Sequence, residues 1–345
     1  MAVNSGMAHL SDGLFTTAIA TYTLAMASYT AEYAFGRRGR VAATTPAKAE
    51  AKVLVGAGGP DVAAPEIPTG DGFGREVANK RPGDQKRLGG ERIGRIAVAL
   101  TVLGVLIHGS SIALRGIAAQ RVPWGNMYEF SAVVGFVAVI AFLGTLWRAP
   151  QIRYLGGLIM LPVVLLMFLA GTVLYAKDAT LVPALQSYWL AIHVSAAASS
   201  EGILVTSAVF TVLFLIRQRY DVVTARGGRL RFPVALGERL PSPETLDKVA
   251  YRTVAFAFPI YTFGVIAGAI WAEAAWGRYW GWDPKETWAF IAWVVYAAYL
   301  HARATAGWKG RSAAWINLLG FGSMTFNFFV VNIVISGLHS YAGLN

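Results

Sequence analysis

The sequence predicts an all-α, polytopic integral membrane protein with about eight transmembrane helices and an external tryptophan-rich loop. Hydrophobic residues make up 55% of the 345 residues and charged residues only 14%, whereas a soluble domain carries about 25% charged residues. Mean hydropathy is +0.49, and several apolar runs reach the ~20 residues that cross a bilayer. We therefore expect a multi-pass protein of the cell membrane, in contact with the lipid bilayer.

Eight apolar runs follow one another along the chain, at residues 14–35, 93–117, 130–147, 155–176, 189–216, 256–275, 289–300 and 313–336. They suggest three parts: an N-terminal transmembrane helix at 1–35, a cytoplasmic loop at 36–92, and a membrane domain with seven helices at 93–345. The loop is rich in Gly, Pro, Ala and charged residues, a composition typical of disorder. A basic segment at 217–252 is expected to contain no span.

The basic residues predict the orientation, because Lys and Arg are enriched in cytoplasmic loops. Four alternate connections are basic and are expected on the cytoplasmic side: 36–92, the Arg148/Arg153 turn, 217–252 and 303–311. Both termini then lie outside, and Arg115 and Arg121 are the main exceptions to the rule. The net charge of +11 is explained by these loops, and we expect no nucleic-acid partner.

The tryptophan-rich loop lies at residues 273–288 and contains the segment WGRYWGWDPKETW, with four Trp at 276, 280, 282 and 288. Asp283, Pro284 and Glu286 predict the start of a helix, with an acid at the N-cap, Pro at the first position and an acid three residues after the cap. A belt of Trp at the membrane–water interface is one interpretation. Indoles interleaved with Gly, Asp and Lys on a single loop favour a second one, a platform for a flat, conjugated ligand.

Two histidines share the predicted outer face with this loop. His193 lies at the outer start of the fifth span and His339 at the outer end of the eighth. A planar ligand with a central metal needs axial donors, and neutral imidazole is a common axial ligand of haem iron. The anionic propionates of a haem would suit a helix N-terminus, and Arg278 and Lys285 add positive charge there.

The other three histidines are weaker candidates. His301 lies within the seventh span, toward the cytoplasmic side, where it could be a transit ligand for haem or could hydrogen-bond a neighbouring helix. His108, within the second span, is taken as structural, and His9 is given no role. The sequence contains no cysteine, so the chain cannot exchange disulfides or attach haem to itself, and any thiol must come from a partner.

Several segments together resemble one family. The loop resembles the "WWD" signature of haem-handling membrane proteins of cytochrome c maturation, and most closely the CcsA/ResC family of System II, called CcsB in actinobacteria. The segments around His193, His301 and His339 resemble the family's histidine-bearing segments, in the same order. Trp124-Gly-Asn-Met-Tyr-Glu129 resembles a further family element. The resemblance covers about residues 93–345.

The resemblance implies that haem b is held at the outer face and is attached through two thioethers to the Cys-x-x-Cys-His segment of apocytochrome c. It implies a ResB/Ccs1-type membrane partner and a thioredoxin-like thiol reductant, and a role as cytochrome c synthetase subunit. His193 and His339 are the expected iron ligands. The expected haem-binding residues are His193, His339, His301, Trp276, Gly277, Trp280, Trp282, Asp283 and Trp288.

We expect this chemistry to depend on positioning, because holding two reactants together replaces a chance encounter. No catalytic acid or base is predicted. Three alternatives remain: a haem delivery or export component without ligation activity, a haem-containing membrane electron-transfer subunit, and a transporter of another substrate.

Overall fold

The structure is a computed structural model that describes residues 4–35, 82–177, 185–305 and 307–339. These residues form helices and short connections, with no strand among them. The α-helices are α1 Ser5–Phe35, α2 Pro82–Ala119, α3 Met127–Arg148, α4 Gly156–Thr172, α5 Tyr188–Ala225, α6 Pro243–Trp276, α7 Pro284–Ala304 and α8 Arg311–Phe326. The predicted all-α fold is confirmed.

Within the described part of the chain, six helical segments are long and apolar enough to cross a membrane: Gly90–Ala119, Met127–Arg148, Pro150–Thr172, Tyr188–Ala225, Pro243–Trp276 and Arg311–Val331. Helices α1 and α7 are more polar, since α1 is rich in Ser and Thr and α7 carries Lys, Glu and Arg at its ends. Short 3₁₀ helices at Pro150–Leu155 and Val234–Arg239 flank α4 and α6. A π-helix, Asn327–Val331, continues α8.

The helices extend beyond the apolar runs. Helix α2 begins at Pro82, so residues 82–92 are helical where a disordered loop was expected; residues 36–81 of that loop lie outside the described part of the chain. Helices α5 and α6 likewise reach into the basic segment at 217–252 and leave only residues 226–242 between them. Polar residues such as Arg, Lys, Glu and Gln are good helix formers, so a helix does not have to end where hydrophobicity ends.

Two hydrophobic cores are formed by different sets of helices. The first joins α1–α5 with the beginnings of α6 and α8, and its large buried side chains include Tyr22, Tyr29, Phe142 and Phe210. The second joins α5–α8 around Tyr261, Tyr296 and Tyr299. A smaller cluster around Trp271 lies at the beginning of α5 and the end of α6, and it borders the cavity described below.

A buried ion network fixes the start of α3. Arg115 lies 3.2 Å from Asp12 and 3.3 Å from Glu129, and Arg121 lies 2.7 Å from the second oxygen of Glu129. Asn126 caps the helix by accepting the backbone N–H of Glu129 at 2.8 Å. These two arginines were the exceptions to the orientation rule, and here each is paired with an acid.

Candidate functional site

The candidate site is a cavity among α3, α5, α6, α7 and the end of α8. Its walls include the indoles of Trp124, Trp271 and Trp280, and its polar groups include His193 and His339. The Trp124 indole N–H donates to Ser195 Oγ at 3.0 Å, which ties the segment before α3 to α5. An apolar cavity with a few convergent polar groups is the usual form of a site for a small molecule or cofactor.

His193 is fixed in one tautomer by its surroundings. Its Nδ1 lies 2.7 Å from the backbone oxygen of Gly264 on α6. Because a carbonyl oxygen can only accept, Nδ1 carries the hydrogen and Nε2 carries the lone pair. The ring stacks on Trp271, with centroids 5.8 Å apart and planes 11° apart. The imidazole is therefore oriented, and its lone pair is on the nitrogen that is not used by α6.

His339 is fixed in the same way, by a carboxylate. Its Nδ1 lies 2.8 Å from Asp283 Oδ2, and the other oxygen of Asp283 accepts the backbone N–H of Leu338 at 2.7 Å. The His339 ring also contacts Trp271 and Trp276, at centroid distances of 5.5 and 5.0 Å. A histidine that ligates a metal commonly donates its second N–H to a carboxylate in this manner, which fixes the tautomer and raises ligand basicity.

The pKa values of this pair agree with a neutral imidazole beside a carboxylate. Burial lowers the pKa of His339 below its usual value, and the hydrogen bond to Asp283 opposes that shift without reversing it. Burial raises the pKa of Asp283, but the hydrogen bonds from Leu338 and His339 outweigh burial and leave the pKa lowered. At neutral pH the imidazole can therefore serve as a metal ligand, since only the unprotonated ring coordinates.

The start of α7 has the predicted cap. Asp283 is the N-cap, Pro284 the first helical residue, and Glu286 accepts the backbone N–H of Asp283 at 3.2 Å and of Gly281 at 2.8 Å. Gly277 ends α6 at φ 69°, in the left-handed region where glycine is favoured. The cap prediction is confirmed, and the structure adds that the capping carboxylate also holds His339.

The predicted tryptophans divide into two groups. Trp280 lines the cavity and Trp276 packs against His339. Trp282 is 65% exposed and contacts Phe290, while Trp288 packs on Phe326 at a centroid distance of 4.1 Å. The structure therefore brings His193, His339, Trp276, Trp280 and Asp283 together, and it places Trp282 and Trp288 away from the cavity lining.

His301 and His108 have opposite surroundings. His301 lies near the C-terminal end of α7 and is exposed on the outside of the helix bundle. His108 is fully buried, and neither of its ring nitrogens has a hydrogen-bond partner among the described residues. Neither histidine contributes to the cavity.

Sequence reasoning missed several cavity residues. Trp271 is 1% exposed and contacts both site histidines, but it lies inside an apolar run where nothing marks it locally. Glu201 lines the cavity from α5; a single acid within a long apolar helix is a signal that could have found it. Asn327 and Asn332 come from the π-helix and its end, a distortion that is frequent at functional sites.

The two histidines suit a metal ion that is already coordinated at most of its positions by another molecule. Among the described residues, no group of three or more His, Cys, Asp or Glu is placed to hold a bare metal ion. Two imidazoles with lone pairs on Nε2 would complete the coordination of an iron already bound by the four nitrogens of a porphyrin. The indole walls would contact the faces of such a ring, so the donors and the walls of the cavity suit haem chemically.

The fold and the site define a class: an all-α, multi-pass membrane protein with an indole-walled cavity that contains two oriented imidazoles. Residues 124–339 match the family described as "Cytochrome C assembly protein". This match covers more than half of the chain and includes both cavity histidines.

Three similar proteins share one description. The "Cytochrome c biogenesis protein CcsA" of Guillardia theta is 36% identical over 262 residues, which cover 72% of this chain and 86% of the relative. The CcsA of a Synechocystis strain is 35% identical over 298 residues, covering 72% and 86%. That of a Synechococcus elongatus strain is 40% identical over 195 residues, covering 47% and 60%. The chain belongs to the cytochrome c assembly family and has a role in cytochrome c maturation.

Proposed function

We propose that this chain binds haem b between His193 and His339 and, with a ResB/Ccs1-type membrane partner, promotes its thioether attachment to apocytochrome c. The observation that carries the proposal is the shared geometry of the two histidines. Each Nδ1 is engaged by the protein, at 2.7 Å with Gly264 and at 2.8 Å with Asp283, and both rings line one cavity. The family membership supports the same reaction class.

The proposed reaction is an addition of two thiols. Each cysteine S–H of the apocytochrome adds across a vinyl C=C of the haem, so that one carbon gains sulfur, the other gains hydrogen, and no group leaves. The chain has no cysteine, so both thiols belong to the apocytochrome, and a thioredoxin-like reductant keeps them reduced. The chain's own contribution is to hold haem in one orientation, which makes the encounter intramolecular.

We place the cavity and both termini on the extracytoplasmic side. The basic connections at 217–252 and 303–311 lie at the opposite ends of α5, α6, α7 and α8 from the cavity, as cytoplasmic loops would. His301 is on that opposite half of α7 and faces outward. An exposed imidazole there would be accessible to haem at the surface between this chain and its partner, before haem reaches the cavity.

The ligand assignment is tested with histidine-to-glycine variants of the full-length protein, purified with and without its partner. We expect His193→Gly and His339→Gly to lose the absorption spectrum of a bis-imidazole haem and to assemble no reporter cytochrome c. Added imidazole should restore the spectrum, because it replaces the deleted donor. His301→Gly should lower haem occupancy without changing the spectrum of the haem that remains.

His9→Gly is the matched control, since His9 lies on α1 away from the cavity. Unchanged spectra and full maturation in both cavity variants would refute the ligand assignment. Haem bound normally by the unaltered protein and its partner, with no thioether product, would instead favour delivery without ligation.

A further inference from the structure

The cavity has a second, polar region apart from the two histidines. It consists of Glu201 on α5, Lys285 on α7, and Asn327 and Asn332 at the end of α8, and we call it the polar patch. Glu201 follows His193 by two helical turns on the same side of α5, which corresponds to a separation of roughly 12 Å along the helix axis. An ionisable residue within a membrane helix is a functional candidate whose partner should be identified.

Lys285 is the cation of this patch. Its Nζ donates to Asn332 Oδ1 at 2.9 Å, and this Nζ forms no ion pair within 4 Å with a carboxylate of the described residues. Glu201 lines the same cavity from α5 and is the carboxylate of the polar patch. A lysine has three donors, so the hydrogen bond to Asn332 leaves capacity for an additional acceptor.

The side chain of Asn327 contributes an amide to the lining of the same cavity. The side-chain oxygen of Asn327 is buried and has no hydrogen-bond partner among the described residues. The oxygen and nitrogen of an amide exchange places by rotation about the last bond, so this group can present N–H donors to the same space. The cavity volume of about 170 Å³ is roughly ten times the minimum that one water needs, so there is room for a polar ligand group.

Arg278, the other cation considered for anion binding, is already paired with an acid. Arg278 lies 3.3 Å from Glu286, on the loop side of the capping box, and does not line the cavity. The structure therefore distinguishes two cations that the sequence leaves equivalent. Lys285 alone of the pair faces the ligand space.

We propose that Lys285, with the amide of Asn327, binds a carboxylate of the ligand, and that Glu201 is the counter-charge of Lys285 while the cavity is empty. This inference rests on the proposed function, in which the ligand is a porphyrin bearing two propionates. A carboxylate entering the patch competes with Glu201 for Lys285. The cavity would thus select the orientation in which a propionate lies at the patch.

The test uses porphyrins without iron, so that its outcome does not depend on the axial ligands. Metal-free protoporphyrin IX and its dimethyl ester are titrated into the full-length protein in detergent, and binding is followed by porphyrin fluorescence anisotropy. We expect the diacid to bind about tenfold more tightly than the diester, the change expected for one charged hydrogen bond. Lys285→Met should remove this preference and leave diester binding unchanged.

Two further variants complete the test. Glu201→Gln should tighten diacid binding severalfold without affecting the diester, because the competing charge is gone, and Arg278→Met should keep the preference of the unaltered protein. Diacid preference retained in Lys285→Met, or weakened by Glu201→Gln, would overturn the proposal. If Lys285→Met binds neither porphyrin, Lys285→Gln is measured in its place. The proposal is supported if Lys285→Gln still binds the diester but no longer prefers the diacid. It is refuted if Lys285→Gln keeps the preference for the diacid.

Failure of this site and failure of the proposed function are distinguishable. The diacid preference can be absent while the imidazole-dependent haem spectrum is present, which would reject the polar patch alone. The preference can also persist while the histidine variants leave the haem spectrum unchanged, which would reject the ligand assignment alone.

Discussion

His193 and His108 lie in transmembrane helices of the same chain, yet their surroundings differ in each respect that matters for binding. His193 donates to Gly264, stacks on Trp271 and borders a cavity. His108 is enclosed by the rings of Phe15, Tyr22 and Phe136, at centroid distances of 5.6 to 5.9 Å. Burial alone therefore does not identify a ligand. The proposal for His193 depends instead on its fixed tautomer and on its position beside a cavity.

The largest expected effect comes from moving His193 without removing it. A Cβ at position 268 would lie 2.7 Å from both Cε1 and Nδ1 of the ring, so Gly268→Ala forces the imidazole away from Gly264. We expect loss of the bis-imidazole haem spectrum and at least a tenfold loss of haem affinity, measured by haem titration.

Gly144→Ala is the matched control, because a Cβ there meets nothing within 4 Å. Both glycines are helical, so both substitutions raise helix propensity by a similar amount, about 0.5–1 kcal/mol. If the two variants bind haem equally well, the orientation of His193 does not determine haem binding.

A smaller effect is expected at the second imidazole, from Asp283→Asn. The amide can still accept from Nδ1, but it lacks the charge that raises the basicity of the ring. We expect a 10–100-fold loss of haem affinity, as roughly expected for partners of metal ligands, and a higher reduction potential of the iron, measured by redox titration. Glu286→Gln removes a negative charge from the same turn but keeps the helix cap, and it should change neither quantity. An equal change in both variants would assign the effect to the lost negative charge at this turn and not to the Asp283–His339 hydrogen bond.

The smallest effect is expected in the enclosed region. His108→Leu removes two buried nitrogens that lack partners among the described residues, and each unsatisfied polar group is worth about 1–3 kcal/mol. We expect the free energy of unfolding in detergent to stay the same or to rise by that order, with haem occupancy unchanged. Loss of haem from this variant would show that His108 binds the ligand and that the contrast with His193 is wrong.

The parts of this structure that follow from local sequence could be predicted. The apolar runs indicate the helices, and Asp283, Pro284 and Glu286 specify the start of α7. Because alternate connections are basic, the sequence predicted that His193 and His339 lie on the same membrane face, and the structure brings both to one cavity. Assignment of the two as haem ligands stays a prediction.

The rest depends on contacts between distant elements. Trp271 has no local signal, because an indole in an apolar run looks like any core residue until its neighbours are known. Asp283 was predicted as a cap, but its hydrogen bonds to Leu338 and His339 join positions that are far apart in the chain. The direction of Lys285 into the cavity, rather than toward the loop as for Arg278, is likewise set by tertiary packing.

The carboxylate of Asp283 joins three elements at a single point: the tryptophan-rich loop, the first turn of α7, and the segment after α8. Helix α7 runs without interruption from this point to His301 near its other end. Any shift of His339 would therefore act, through the carboxylate of Asp283, on the first turn of the helix that carries His301 at its far end.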